Sequence, residues 1–201
     1  MDFDGKSIRL EAIRAEEDYA GVRANLIAGC GRARLGLQID LGQADSVWPP
    51  PESHRYPSLL DLPEPEILAY PREALVAEKL EALVVLGDRN SRIKDFFDLH
   101  YLAATCRFDR GTLVEAVRRT FDRRSTPYPS DTPIGLTRAY WENPSRPAQT
   151  RAFARRARID PPEKPGETFS PLLEAFLLPA LEDFRRDRAK EGSWEPGGPW
   201  R

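Results

Sequence analysis

The sequence is poor in sulfur. Of 201 residues, two are cysteines (Cys30 and Cys106), and the only methionine is Met1. Two cysteines cannot build a disulfide framework, nor a zinc site by themselves. Long apolar runs are also missing: nothing approaches the ~18 consecutive apolar residues of a membrane helix. The opening Met1–Lys6 is acidic and has no apolar h-region. A secretory signal is therefore not expected, and a soluble cytoplasmic protein is. Net charge is nearly absent too, -2 from 30 Lys+Arg and 32 Asp+Glu. The 40% of hydrophobic residues argues against disorder, and the 31% of charged residues leaves apolar sequence for one modest core. The length suits one large domain or two small ones, since domains commonly have about 100–200 residues.

The small net charge hides an asymmetry. Residues 1–106 carry a net of -6, residues 107–158 carry 12 basic and 5 acidic side chains for a net of +7, and residues 159–201 carry -3. Every basic residue of the middle block is arginine. The arginine fork binds phosphate in bidentate fashion, so this block points to a polyanionic partner such as nucleic acid. A set of solvated helix faces would carry the same charge, because charge blocks report on association rather than on fold.

Hydrophobic periodicity changes along the chain. Residues 7–13, 22–28 and 34–41 alternate between polar and apolar, which predicts half-buried strands. Gly21 and Gly29-Cys30-Gly31 suit turns between antiparallel neighbours. Trp48-Pro49-Pro50-Pro51 predicts a loop, and Glu66–Tyr70 a further short strand. After Pro71, Leu75, Val76, Leu80, Leu83, Val84 and Leu86 fall at helical spacing, with Gly87 as a stop. Helices are also predicted at about 92–105, 110–124, 134–141, 148–158 and 169–188. The last has a stripe of Phe169, Leu172, Leu173, Phe176, Leu177, Ala180, Leu181 and Phe184. A strand-rich first third followed by a helical remainder is an α+β pattern. The expected organisation is a mostly antiparallel sheet over 1–70, a helical region over 71–190 and a flexible Gly/Pro/Trp-rich tail over 191–201.

Three polar positions break the apolar patterns. Asp40, at the end of the cleanest strand, faces away from Leu37, Ile39 and Leu41. It is either a hard oxygen ligand for a divalent metal or a solvent-facing strand residue. Lys79 lies on the apolar face of its helix, four residues from both Leu75 and Leu83. Such a lysine either meets a carboxylate or extends its head past the edge of the stripe. Asp95 and Asp98 lie one helical turn apart in Lys94-Asp95-Phe96-Phe97-Asp98-Leu99. Near a helix N-terminus, Asp95 also has the option of a dipole-stabilised or capping role.

These residues carry a family resemblance. Tyr70-Pro71-Arg72-Glu73 with Val76–Ala82, then Asn90-Ser91-Arg92-Ile93-Lys94-Asp95-Phe96-Phe97-Asp98-Leu99, resembles the AbiEii/AbiGii-type nucleotidyltransferase toxins of type IV toxin–antitoxin and abortive-infection systems. Leu37–Asp45 looks like that family's strand carrying a third acid; Tyr56–Asp61 and Thr120–Arg124 are similar as well. The resemblance runs from about Phe3 to Arg188. It implies a member of the DNA polymerase β-like nucleotidyltransferase superfamily that moves a nucleotide from an NTP to an acceptor, for some members the 3′ end of tRNA.

Two Mg²⁺ ions are the implied cofactors, bridging carboxylates and phosphates. Carried over by position, Lys79 and Asp95 are the expected catalytic residues. Lys79, Arg92 and Lys94 are expected on the phosphates, and Asp40 and Asp98 on metal. Arg118, Arg119, Arg123 and Arg124 are the candidates for RNA. A cognate antitoxin is the implied partner. The family's Gly-Ser or Gly-Gly-Thr turn and the Asp-x-Asp motif after it are not found ahead of these segments, since no such turn precedes Asp2-Phe3-Asp4. The chain is therefore expected to lack the first part of the catalytic core and to be weak or inactive alone. The competing expectation is a non-catalytic module that engages an antitoxin, nucleic acid or a second chain, with dimerisation through an open sheet edge.

Overall fold

The computed structural model describes residues 2–13, 21–42, 47–186 and 191–201. Gln43-Ala44-Asp45 of the acid-bearing strand motif, and Asp187 and Arg188 at the end of the last predicted helix, lie outside the described residues. The chain divides into two compact units, Met1–Ser46 and Val47–Arg201.

The first unit is an antiparallel sheet of β1 (Asp2–Ile13), β2 (Gly21–Cys30) and β3 (Ala33–Gly42), in the order β1-β2-β3. Val22, Ala24, Leu26 and Ala28 face Leu41, Ile39, Leu37 and Leu35 across the β2–β3 ladder. Leu10 pairs with Ala24 and Phe3 with Ala28 across β1–β2. Because side chains alternate along a strand, these residues share one apolar face of the sheet. The opposite face holds the Arg23–Asp40 and Asn25–Gln38 pairs. Phe3, Leu10, Ile39 and Leu41 remain exposed on the apolar face. The register shifts between Asp4 and Arg9, and Ser7 spans the irregularity. Its hydroxyl donates to the Asp4 carbonyl at 2.6 Å and accepts from Ile27 N–H at 2.8 Å.

The second unit opens with a hairpin of β4 (Glu52–Arg55) and β5 (Glu66–Ala69). The β5 strand was legible; β4 was hidden beside the proline run. This hairpin groups with the helices rather than with the first sheet. The helices are α1 (Arg72–Leu86), α2 (Ile93–Thr105), α3 (Arg110–Arg123), α4 (Arg138–Trp141), α5 (Arg146–Ala157) and α6 (Pro165–Arg185). Sheet followed by helices confirms the α+β class. The helix predicted over 134–141 is two pieces, a 3₁₀ turn at Ile134–Leu136 and α4.

The core sits where α1, α2, α3 and α6 meet, filled by Val76, Leu80, Leu83, Phe96, Leu99, Leu113, Val117, Phe121, Phe176 and Leu177. Helix α6 starts four residues before its predicted start. Pro165 stands in its first turn, where a missing N–H costs nothing. Its stripe is buried as the spacing requires, with Leu172 and Phe184 at the margin. Gly87 ends α1 at φ 52°, a conformation that suits glycine. No helix among the described residues is long and apolar enough to cross a membrane.

Residues 191–201, expected as a flexible tail, fold back onto the core. A two-residue ladder joins β6 (Phe108–Asp109) to β7 (Ser193–Trp194). Trp194 is fully buried, donates Nε1–H to the Ala103 carbonyl at 2.7 Å, and packs against Phe176 and Trp200. Gly198, at φ 77°, lies so close that a Cβ there would come within 2.5 Å of the Trp194 ring. Tryptophans in a tail of glycine and proline look disordered by composition, but they bring the apolar area that anchors it.

Candidate functional site

Helix α1 carries three charged residues in the turn that the core grips hardest. Glu78, Lys79 and Glu81 flank the buried Leu80. Each reaches a partner from another element. Lys79 Nζ lies 2.5 Å from Asp95 Oδ1 and 2.7 Å from Asp98 Oδ2, both on α2. The lysine side chain is 11% exposed and that of Asp95 13%. Of the two options open for Lys79, the carboxylate partner is the one the fold realises.

The reason lies in the register of α2. Residues three apart share a face, so Asp95 and Asp98 point together at α1. Phe96 and Leu99 go to the core. Phe96 lies 4.7 Å from the Tyr140 ring and 4.8 Å from Trp141 by centroid, and Phe97 5.0 Å from Phe169. Nor does Asp95 cap its helix. No side chain caps α2; in the turn before it, Asn90 Oδ1 accepts from Arg92 N–H at 2.8 Å. Asp95 is thus left for the lysine.

Burial pushes the Lys79 ammonium toward a lower pKa. Hydrogen bonds to Asp95 and Asp98, with the charges of both, outweigh it and leave the pKa raised. The lysine stays charged through the neutral range. The trio carries one positive and two negative charges. Arg92 and Lys94, on the opening turn of α2, are exposed and have no carboxylate partner among the described residues. They are the free cations beside Asp95.

Asp40 belongs to the first unit, where Arg23 takes both of its oxygens, at 2.7 and 2.9 Å. The hydrogen bond to Arg23 holds the Asp40 carboxyl below the usual carboxylate range. Among the described residues no group of three or more His, Cys, Asp or Glu is arranged to hold a metal ion. Asp95 and Asp98 offer hard oxygens of the right kind for Mg²⁺, but only two carboxylates, both on the lysine.

The arginines proposed for RNA are tied into α1 and its surroundings. Arg124 Nη1 lies 2.5 Å from Glu81 Oε2, and Thr126 donates to Glu81 Oε1 at 2.6 Å. Arg123 reaches Glu78 at 3.4 Å, and Tyr70 donates to the same oxygen at 2.7 Å. Arg119 pairs with Glu115 at 2.6 Å and covers the Trp48 ring at 4.2 Å; Arg118 also meets Glu115.

The sequence reading missed the group behind the α1–α2 turn. Arg146 is 3% exposed. Its Nη1 donates to the Asn90 carbonyl at 2.8 Å and to Gln149 Oε1 at 3.0 Å, and its Nη2 donates to the Asp88 carbonyl. Tyr140 donates to the same Asn90 oxygen at 2.6 Å. Burial pushes the Tyr140 phenol up to about 12. Nothing in the period of α5 marks Arg146 apart from its neighbouring arginines. The one available signal was Asn90, which opens the Asn90–Leu99 motif.

Lys79, Asp95 and Asp98 thus form one ion-paired trio within the helical unit, with Lys79 and Asp95 largely buried. The family model of the nucleotidyl transferase AbiEii toxin of type IV toxin–antitoxin systems matches residues 2–187, and the chain belongs to that family. No curated protein and no solved structure matches the chain.

Proposed function

We propose that the chain is a toxin that transfers a nucleoside monophosphate from an NTP to an RNA acceptor, with tRNA as the leading candidate, in the cytoplasm of a cell that also makes the cognate antitoxin. The observation that carries this reading is the meeting of Lys79 with Asp95 and Asp98, inside a chain matched to the family over residues 2–187. Lys79 acts as a point charge on the phosphates. The net -1 of its trio repels a bare triphosphate, and Mg²⁺ carried with the NTP supplies the offsetting charge. Arg92 and Lys94 stand at the mouth of the same turn to meet the outer phosphates. Asp95 orients the ammonium, and Asp98 is the better exposed carboxylate for metal, at 31%.

The test is label transfer from each α-labelled NTP to total tRNA with Mg²⁺, for the chain and its Lys79→Ala variant, with melting curves to check folding. Loss of transfer in a folded variant supports the assignment. Transfer that survives the substitution overturns it.

A second reading is favoured by a different observation, the exposed apolar face of β1–β3. It makes the chain a non-catalytic module that engages a partner, through that face or as a homodimer through a strand edge. Absence of transfer from every NTP, together with a dimer in light scattering, supports this reading.

A further inference from the structure

The arginines of α3 have carboxylate partners, whereas those on the outer side of α5 do not. Between Glu142 and Asp160 the chain has no acidic residue and five arginines. Arg146 is buried, but Arg151, Arg155, Arg156 and Arg158 are all exposed. Among the described residues none of these four has a side-chain hydrogen bond, ion pair or ring partner. Arg151 and Arg155 are four residues apart and share a face, Arg156 adjoins Arg155, and Arg158 stands just past the helix end at φ 56°. At 1.5 Å rise per residue the helix climbs only about 8 Å from Arg151 to Arg156. Like charges at this spacing destabilise a helix unless something of opposite charge covers them.

The helix is fixed from its other side. Thr150 and Ala154 are buried, and the Phe153 ring packs 4.9 Å from Phe97 on α2. This removes one way of binding a polyanionic surface, the insertion of an amphipathic helix into a membrane. A helix that lies on a membrane surface buries its own apolar face there, and the apolar face of α5 is already in the core. An exposed, unpaired stripe of guanidinium groups suits a phosphodiester backbone instead.

We propose that Arg151, Arg155, Arg156 and Arg158 form the surface that grips the phosphate backbone of the RNA acceptor. That the polyanion is RNA rests on the transferase reading above; that it binds at α5 rests on the geometry. The surface therefore moves from α3, where the sequence placed it, to α5. The same helix carries Arg146, which holds the turn between α1 and α2, so the grip and the Lys79 trio share one rigid support.

The test is fluorescence anisotropy with a labelled single-stranded RNA of about 20 nucleotides, without NTP, across a KCl series. The chain is compared with Arg151→Gln/Arg155→Gln/Arg158→Gln and with Arg119→Gln, circular dichroism confirming that each is folded. Each phosphate contact contributes about 0.7 to the slope of log affinity against log salt for a single strand. The triple variant is expected to bind about 10- to 100-fold more weakly at low salt, with a slope smaller by about 2. Arg119→Gln is expected to bind like the parent. Equal binding by the triple variant overturns the proposal. So does a parent chain that ignores RNA, or one that binds phosphatidylserine vesicles and not RNA. Equal affinity for duplex DNA overturns the RNA assignment. Because no transfer is measured, RNA binding that survives when Lys79→Ala leaves transfer unchanged would sink the catalytic assignment alone.

Discussion

Arg146 and Tyr140 donate to one acceptor, the carbonyl oxygen of Asn90, at 2.8 and 2.6 Å, and the guanidinium carbon lies 4.0 Å from the centroid of the Tyr140 ring. Asn90 in turn holds the first N–H of the turn that starts α2. Two donors on one oxygen, one of them charged, fix the backbone from which Asp95 projects.

Loss of the two donors should therefore differ sharply in cost. Tyr140→Phe leaves Asn90 its arginine and should cost about 1 kcal/mol. Arg146→Ala takes a charged donor from both the Asn90 and Asp88 carbonyls and opens a buried space, and should cost about 3 kcal/mol or more. Urea unfolding of both variants measures the pair. Equal losses would show that the arginine is not the main support.

Lys79→Met should lower stability by about 3 kcal/mol at neutral pH, since it leaves two close carboxylates without their cation. The pH dependence has a definite sign. The folded pKa of Lys79 is raised above the ordinary 10.5. The contribution of the charged lysine is thus complete below that value and lost as pH climbs through the raised one. The gap in melting temperature between the chain and the variant should hold from pH 7 to 9 and narrow above about pH 10.5. A gap that stays constant to pH 12 would contradict the ion pairing.

The Arg23–Asp40 pair titrates at the other end of the scale. Asp40 is held below its ordinary 3.8 by Arg23. The stabilisation is present above that pH and disappears as pH falls through the lowered value. Carboxyl NMR titration should find Asp40 below 3.8, and in Arg23→Gln its midpoint should rise back toward it.

Trp194→Ala tests the C-terminal anchor. A fully buried tryptophan leaves a large void, and its replacement should cost about 3–5 kcal/mol. The measurement is the urea midpoint, with proteolysis of residues 191–201 as a second readout. Unchanged stability with rapid cleavage would restore the picture of a free tail.

Much of this was legible in local pattern. The β1–β3 strands follow from period-2 alternation, and α2, α3 and the α6 stripe from spacing near 3.6, because one buried face fixes one period. Lys79 announced itself by sitting in such a stripe. What pattern could not show is who meets whom. Glu78 and Glu81 look like the solvated flanks of α1, yet they bind Arg123 and Arg124, more than forty positions later. Those arginines look free and are not, while Arg151, Arg155, Arg156 and Arg158 look the same and are. Composition also misread the tail, because glycine and proline outweigh two tryptophans in a count but not in buried area.

The sequence alone determined the α+β order of elements, their buried faces and the family motifs, because periodicity and short spacings act within one element. Only the tertiary structure decided the partners of each charge: Lys79 with Asp95 and Asp98, Asp40 with Arg23, Arg146 with the Asn90 carbonyl. An ion pair depends on a distance of a few ångströms between elements far apart in the chain, and helix packing sets that distance.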